Sequence, residues 1–399
     1  MSAISESYYQ IFDSITLEAA ARSDGCKWNR FDPEVIPCWV ADMDFPVAEP
    51  IRDYLRHIAE RGDLTYNGFA ISQPCEDFCD RMERRFGWQI SPGDMELMSD
   101  VVQSFYIGVD KLSEPGDQVI LQTPLYHPIL NACNDLGREI VYNPLVRFQS
   151  QWEMNLDQLE SSITPRSKLV ILVNPHNPSG KVYRRDELMA LAELVLKHDL
   201  WVISDEIHCD LIFSDAGEHI PFASLGPEIA ARTVTTNSAT KSHNLGGIRC
   251  SLIHYGSEAL KQRYAQVTRG ARGWENRIGP TITSIAWRDC EDWLDTARYY
   301  IESNRDWFYQ QIKHRMPAIQ HLSNQATYLA WLDCQNLGLQ EEAFEFFVRE
   351  ACIGPSPGPD FGPEGRGCIR VNFATSRQIL EQILNRMEGA IYQLEQNRV

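Results

Sequence analysis

The chain contains no run of about 18 consecutive apolar residues, so no membrane-spanning helix and no membrane partner are expected. Positive charge is scarce: 37 Lys and Arg stand against 55 Asp and Glu, a formal net charge of −18. A nucleic-acid partner needs a basic surface to neutralise phosphates, and none is expected here. The opening residues, Met-Ser-Ala-Ile-Ser-Glu-Ser, lack a basic segment followed by an apolar one, so no secretory leader is expected. The 11 cysteines are odd in number and follow no framework, which points to reduced thiols in a cytoplasmic protein. Cys75 and Cys79 could share a helix face, but no second Cys/His pair lies nearby, so no metal site is expected. Internal repeats, low-complexity tracts and charge blocks are absent too.

What is present is an ordinary globular composition, 43% hydrophobic and 23% charged over 399 residues. That length supports two or three domains around a large core. Residues 1–20 read as a helical arm, and Ile51–Arg61 as a helix stopped by Gly62. From about residue 95 to 255, strands and helices alternate. Gln118–Gln122, Lys168–Val173, Leu200–Ser204 and the run from Thr233 are short apolar strands, and Arg185–His198 has helical period. Continuous apolar strands between helices predict an α/β fold with a mainly parallel sheet covered on both faces. Further on, helices over Tyr299–Gln311, Gln340–Ala351 and Gln378–Gln396 mix with strands over Thr327–Leu332 and Cys368–Ala374. That order predicts a smaller α+β domain. The expected division is 1–50 as an arm and part of the small domain, 51–290 as the large domain, and 291–399 as the small domain.

Three segments in fixed order carry the chemistry: Asn174-Pro-His-Asn-Pro-Ser-Gly180, Ser204-Asp-Glu-Ile-His208, and Ser238-Ala-Thr-Lys-Ser-His-Asn-Leu-Gly-Gly-Ile-Arg249. They offer an amide, a carboxylate, an amine and a phosphate-binding cluster, a set that fits pyridoxal 5′-phosphate (PLP). A lysine can form a Schiff base with the PLP aldehyde, and an aspartate can hold the pyridine nitrogen protonated. Lys241 sits among small polar residues and glycines, as a tight loop approaching a ligand would require. Asp205 follows an apolar strand, where a helix cap would be its plain structural role; beside Lys241 and Asn177 it reads as the ring partner. Asn177 either stabilises a turn or donates to the ring phenolate. His208 is either a core histidine or a neighbour of Asp205 and the phenolate. Tyr126 follows a strand and could stack on the ring. Val101–Phe105 opens a helix whose N-terminus, with Ser104, could bind phosphate, although the usual glycine is absent. Arg370 lies in a short apolar strand and needs a partner: an internal carboxylate, or that of an amino-acid substrate.

Taken together the chain resembles a fold-type-I PLP enzyme of the class I/II aminotransferase superfamily. It is most similar to the cystathionine β-lyase-like C–S lyases of the MalY/PatB type. The resemblance runs nearly end to end, through Cys26-Lys-Trp-Asn, Trp39-Val-Ala-Asp-Met-Asp-Phe45, the three segments above, Ala326–Asp333 and Arg370-Val-Asn-Phe-Ala374. It implies Lys241, Asp205 and Tyr126 as the catalytic set. Asn177 is implied at the phenolate, with Ser238 and Arg249 at the phosphate; the reading of the residues adds His208, Gln103 and Ser104 as cofactor contacts. Tyr66 is implied at the phosphate of a neighbouring subunit, and Arg370, Asn177, Trp39 and Ala41 on the substrate side. A homodimer with shared active sites is implied as well. Four features depart from the branch: Ser-His-Asn after the lysine, Gln103 in place of the phosphate-loop glycine, the Arg269–Arg277 stretch, and prolines 355 and 357 before Phe361-Gly362. The implied reaction is β-elimination from cystathionine or a cysteine S-conjugate. An aminotransferase and a specialised biosynthetic eliminase or cyclase are the alternatives.

Overall fold

The computed structural model describes residues 3–66 and 72–398. Its centre is a seven-stranded sheet built from β1 (Met95–Met98), β2 (Gln118–Thr123), β3 (Glu139–Pro144), β4 (Ser167–Val173), β5 (Trp201–Asp205), β6 (Thr233–Asn237) and β7 (Ser251–Tyr255). The spatial order is β1-β7-β6-β5-β4-β2-β3. β7 runs antiparallel to both neighbours, and the remaining pairs are parallel. The apolar run in β4 divides by the period of two. Leu169, Ile171 and Val173 pack on one face with Leu121 and Ile203, while Val170 and Leu172 pack on the other with Ile120 and Val202. Both faces are buried, so the strand has no polar side to show.

The smaller sheet pairs β8 (Leu329–Asp333) with β9 (Cys368–Asn372) antiparallel, and residues 320–321 and 356–357 flank them. The helices Glu291–Arg315, Ala343–Ala351 and Arg377–Gln396 accompany it, sharing one apolar core with it. The first of these helices is longer than the Tyr299–Gln311 expected. Glu291 and Asp292 suit a helix N-terminus, and Trp293, Leu294 and Ala297 bury the added turns. The second starts at Ala343, three residues after the expected Gln340.

The N-terminal segment belongs with the later part of the chain. Ile36–Pro37 pairs in parallel with Ile353–Gly354. The arm forms helices Ala3–Asp13 and Leu17–Ala20, and the buried Phe12 ring stacks on Phe45 at 4.4 Å. The helix Glu49–Arg61 ends on Gly62, whose φ of 62° favours glycine. No helix among the described residues is long and apolar enough to cross a membrane. The carboxyl ends of β2, β4, β5 and β6 lie along one edge of the large sheet, where open α/β sheets bind ligands.

Candidate active site

Asp205 is the last residue of β5 and is buried, with 4% of its surface exposed. Its carboxylate accepts from the Ile207 amide at 3.2 Å and the Thr236 hydroxyl at 3.5 Å. No cationic side chain among the described residues pairs with it. Burial pushes its pKa up to about 7, outweighing the hydrogen bonds from Ile207 and Thr236 and the Lys241 charge, which pull it down. Lys241 stands in the short helix Ala239–Ser242, just past β6. Its ammonium is held by a neutral group: Nζ donates to the Ala41 carbonyl at 3.1 Å. Burial lowers its pKa below the ordinary lysine value, with the Asp42 charge pulling the other way.

Ala41 belongs to the irregular stretch Trp39–Phe45, and long-range side chains fix that stretch carbonyl by carbonyl. The Trp39 carbonyl accepts from Arg370 at 2.6 Å and from Ser356 at 2.6 Å. Asn372 donates to the carbonyls of Val40 and Asp42, each at 2.7 Å. The Tyr328 hydroxyl reaches Ala41 at 2.9 Å, and Asn244 accepts from the Met43 amide and donates to the carbonyls of Met43 and Phe45. A buried ion pair, Lys27 to Asp44 at 2.8 Å, pins the far end. The stretch is thus an ordered strap over the sheet edge, with its polar backbone satisfied from three directions.

Arg370 lies on β9 and is buried. It donates to the Asn177 side-chain oxygen at 3.0 Å, the Trp39 carbonyl and the Ser356 hydroxyl. No carboxylate among the described residues pairs with it, and its Nε is buried without a partner. Its guanidinium rests over the Phe361 ring at 4.8 Å. Burial lowers its pKa to about 10. Asn177 is thereby tied to Arg370, which joins the segment after β4 to β9. Tyr126 caps the helix His127–Asp135 at the end of β2, near enough to Arg370 and Asp205 to feel both charges.

His208 is buried, its ring edge-on to Tyr328 at 6.4 Å, and its Nδ1 has no partner. Burial and the nearby Lys241 lower its pKa to about 3, which keeps the ring neutral. The candidate phosphate ligands are placed unevenly. Ser238 caps the Lys241 helix, and its hydroxyl already donates to the Cys250 carbonyl at 2.7 Å. Arg249 is largely exposed and pairs with Asp100 at 2.5 Å. Asp100 in turn caps the helix Val101–Leu112 through the Gln103 amide. The Gln103 side chain accepts from the Ser99 amide and donates to the Arg272 carbonyl. Ser104 is turned into the core, its hydroxyl bonded to the Val101 carbonyl, so it offers the cleft no hydroxyl. Tyr66 is fully exposed and meets none of these residues in the single chain; Asn67 and Gly68, beside it, lie outside the described residues.

Sequence reasoning missed the residues that hold the strap and the two cations: Tyr328, Ser356, Asn372 and Asn244. It also missed Phe361 as the floor under Arg370. Asn372 ends an apolar strand and Tyr328 directly precedes one, and neither pattern gave a hint of a polar duty. The polar atoms left without partners, His208 Nδ1 and Arg370 Nε, flank a buried carboxylate without a cation and an amine held only by a carbonyl. A ligand with a protonated ring nitrogen, an electrophilic carbon and acceptor oxygens fits that donor set.

The sequence matches the family described as aminotransferase class I and II over residues 104–387. It is 33% identical over 362 residues to cystathionine beta-lyase PatB of Bacillus subtilis, covering 90% of this chain and 93% of that one. The crystal structure of OvoB superimposes with a TM-score of 0.88 at 35% identity, covering 92% of this chain and 96% of that chain. Cystalysin from Treponema denticola, a structure containing PLP, gives a TM-score of 0.90 at 28% identity over 96% and 100% of the two chains. The chain belongs to the class I and II aminotransferase family, in the branch of the cystathionine β-lyase-like C–S lyases, and has their fold-type-I architecture.

Proposed function

We propose that this chain is a PLP-dependent carbon–sulfur β-lyase that cleaves cystathionine or cysteine S-conjugates, working as a cytoplasmic homodimer. The observation that carries the reading is Asp205, a buried carboxylate with no ion-pair partner among the described residues, on the same sheet edge as the Lys241 amine. The likeness to PatB and to PLP-containing cystalysin supports it. Asp205 would accept from the ring nitrogen and hold a proton there. Asn177 and His208 would face the ring oxygen, and Tyr126 the ring plane. Ser238, Arg249 and the first turn of the Val101 helix, with Gln103, would surround the phosphate. Tyr66, exposed in one copy, would complete that site in a second.

When bound, PLP supplies an electrophilic carbon for the substrate amine and an electron sink for charge at Cα. Arg370 binds the substrate carboxylate through its fork, beside the strap carbonyls of Trp39 and Ala41. Burial lowers the Lys241 pKa below the ordinary lysine value, which favours the neutral amine and suits it to take the Cα proton. The strap and Phe361 exclude water from that transfer. The C–S bond at Cβ breaks with its electron pair on sulfur, and water completes the balance. One cysteine conjugate and one water give thiol, pyruvate and ammonia.

The purified, PLP-loaded protein should release thiol, pyruvate and ammonia in equal amounts from cystathionine or a cysteine conjugate, with no 2-oxo acid added. Stoichiometric build-up of pyridoxamine phosphate, reversed by a 2-oxo acid, would establish an aminotransferase instead. Sedimentation should give a dimer, and a monomer active at assay concentration would overturn the shared-site reading.

A further inference from the structure

Two charges of opposite sign stand beside the substrate pocket with no ion-pair partner among the described residues. Arg30 is exposed but held in place: its guanidinium lies 4.2 Å over the Trp39 ring and 5.5 Å over Phe31. Trp39 is the residue whose carbonyl binds Arg370. Stacking fixes a guanidinium without spending its hydrogen-bond donors, which leaves the fork free for an anion. Asp360 is exposed on the next wall, directly before Phe361. The Phe361 ring carries Arg370 at 4.8 Å and meets the His127 ring edge-on at 6.1 Å. His127 in turn meets Tyr126 at 5.3 Å and keeps a buried Nδ1 without a partner. Arg30 and Asp360 both act on His127 from outside, one lowering and one raising its pKa. Each charge is thus one residue removed from Arg370: Arg30 through the Trp39 ring that it stacks on, and Asp360 through Phe361, its neighbour in the chain.

We propose that Arg30 and Asp360 form a distal subsite that selects sulfur substituents ending in an amino-acid group, the carboxylate against Arg30 and the ammonium against Asp360. The proposal rests on the lyase reading, because the group it recognises hangs from the sulfur that leaves. Neither charge touches the reacting atoms, so both act on specificity. An S-alkyl conjugate has nothing to offer either charge. A conjugate with a carboxylate and no amine satisfies Arg30 alone.

The test compares L-cystathionine, S-(2-carboxyethyl)-L-cysteine and S-ethyl-L-cysteine on the PLP-loaded enzyme and its Arg30→Gln and Asp360→Asn variants. Between solvent-exposed charges such a pair is worth roughly a 1.4- to 5-fold effect on kcat/KM. Arg30→Gln should lower the ratio of kcat/KM for either carboxylate substrate to that for S-ethyl-L-cysteine by roughly that factor, mainly through KM. Asp360→Asn should lower the ratio for cystathionine and leave the ratio for the amine-free conjugate in place. Ratios that stay constant in both variants would overturn the subsite while leaving the lyase reading standing. Failure of the parent enzyme to release thiol from all three would overturn the lyase reading and the subsite with it.

Discussion

Replacing Asp205 with Asn should stabilise the cofactor-stripped protein at alkaline pH. The unfolded aspartate releases its proton near 3.8, whereas the folded one, buried against Ile207 and Thr236, holds it up to about 7. Between those values the folded protein binds more protons than the unfolded one, so stability is lost as pH rises through the window. At about 1.4 kcal/mol for each tenfold change, a gap of that size is worth about 4 kcal/mol at most. An asparagine can still accept from the Ile207 amide and the Thr236 hydroxyl, and it carries no charge to dehydrate. Urea denaturation of the stripped parent and variant at several pH values between 4 and 8 should show near-equal stability at pH 4. The variant should pull ahead by up to about 4 kcal/mol at pH 8. PLP should stabilise the parent far more than the variant, because only the carboxylate gains a cationic ring nitrogen. Parallel curves for the two proteins would refute the argument. They would mean that Asp205 is charged and compensated at all pH values, as a plain cap would be.

Arg370→Lys should weaken substrate binding roughly 30- to 150-fold, about 2–3 kcal/mol for the lost two-point contact, without changing the cofactor spectrum; unchanged substrate affinity would place the carboxylate elsewhere. Borohydride treatment of the yellow holoenzyme should bleach it, and peptide mapping should find the pyridoxyl group on Lys241; a label on another lysine would remove Lys241 from the reaction. Phe12→Ala should cost about 3–5 kcal/mol in denaturation, because the fully buried ring stacks on Phe45 and meets Trp293 at 5.8 Å; a loss below about 1 kcal/mol would mean the arm is not part of the core.

The central strands were legible because burial on both faces leaves an unbroken apolar run, as in Leu169–Val173. β1 and β7 were harder to read, since Met95-Glu-Leu-Met and Ser251-Leu-Ile-His-Tyr are short and carry polar residues. The long helix from Glu291 was cut short in the sequence reading because its early turns mix Trp, Asp, Arg and Tyr. At the site, Lys241, Asp205, Asn177 and Arg370 were legible because each sits at an irregular or charged point inside an otherwise apolar pattern. Asn372, Asn244 and Tyr328 were not, because their partners lie 330, 201 and 287 residues away. A side chain that satisfies a distant backbone carbonyl leaves no local spacing to read. Ser104 shows the converse. Its place near a helix start suggested phosphate binding, but position N4 on this helix points into the core, and its hydroxyl closes on the preceding turn.

The strap also explains why both cations of the site stay usable. Arg370 and Lys241 donate to the carbonyls of Trp39 and Ala41, which are strong acceptors without net charge. A carboxylate in either place would satisfy the same donors, with two costs. It would raise the Lys241 pKa and disfavour the neutral amine that the proposed proton transfer needs. It would also oblige a substrate carboxylate to displace a charged competitor from Arg370 in a dry pocket, where a broken buried pair costs several kcal/mol. The acid with the largest effect on Lys241, Asp42, acts on it through space and forms no ion pair with it. Its backbone, meanwhile, is used: the Asp42 carbonyl receives Asn372 at 2.7 Å and Lys27 at 3.3 Å. The stretch thus contributes carbonyls where the chemistry needs neutral partners, and keeps its second carboxylate, Asp44, paired with Lys27 at the far end.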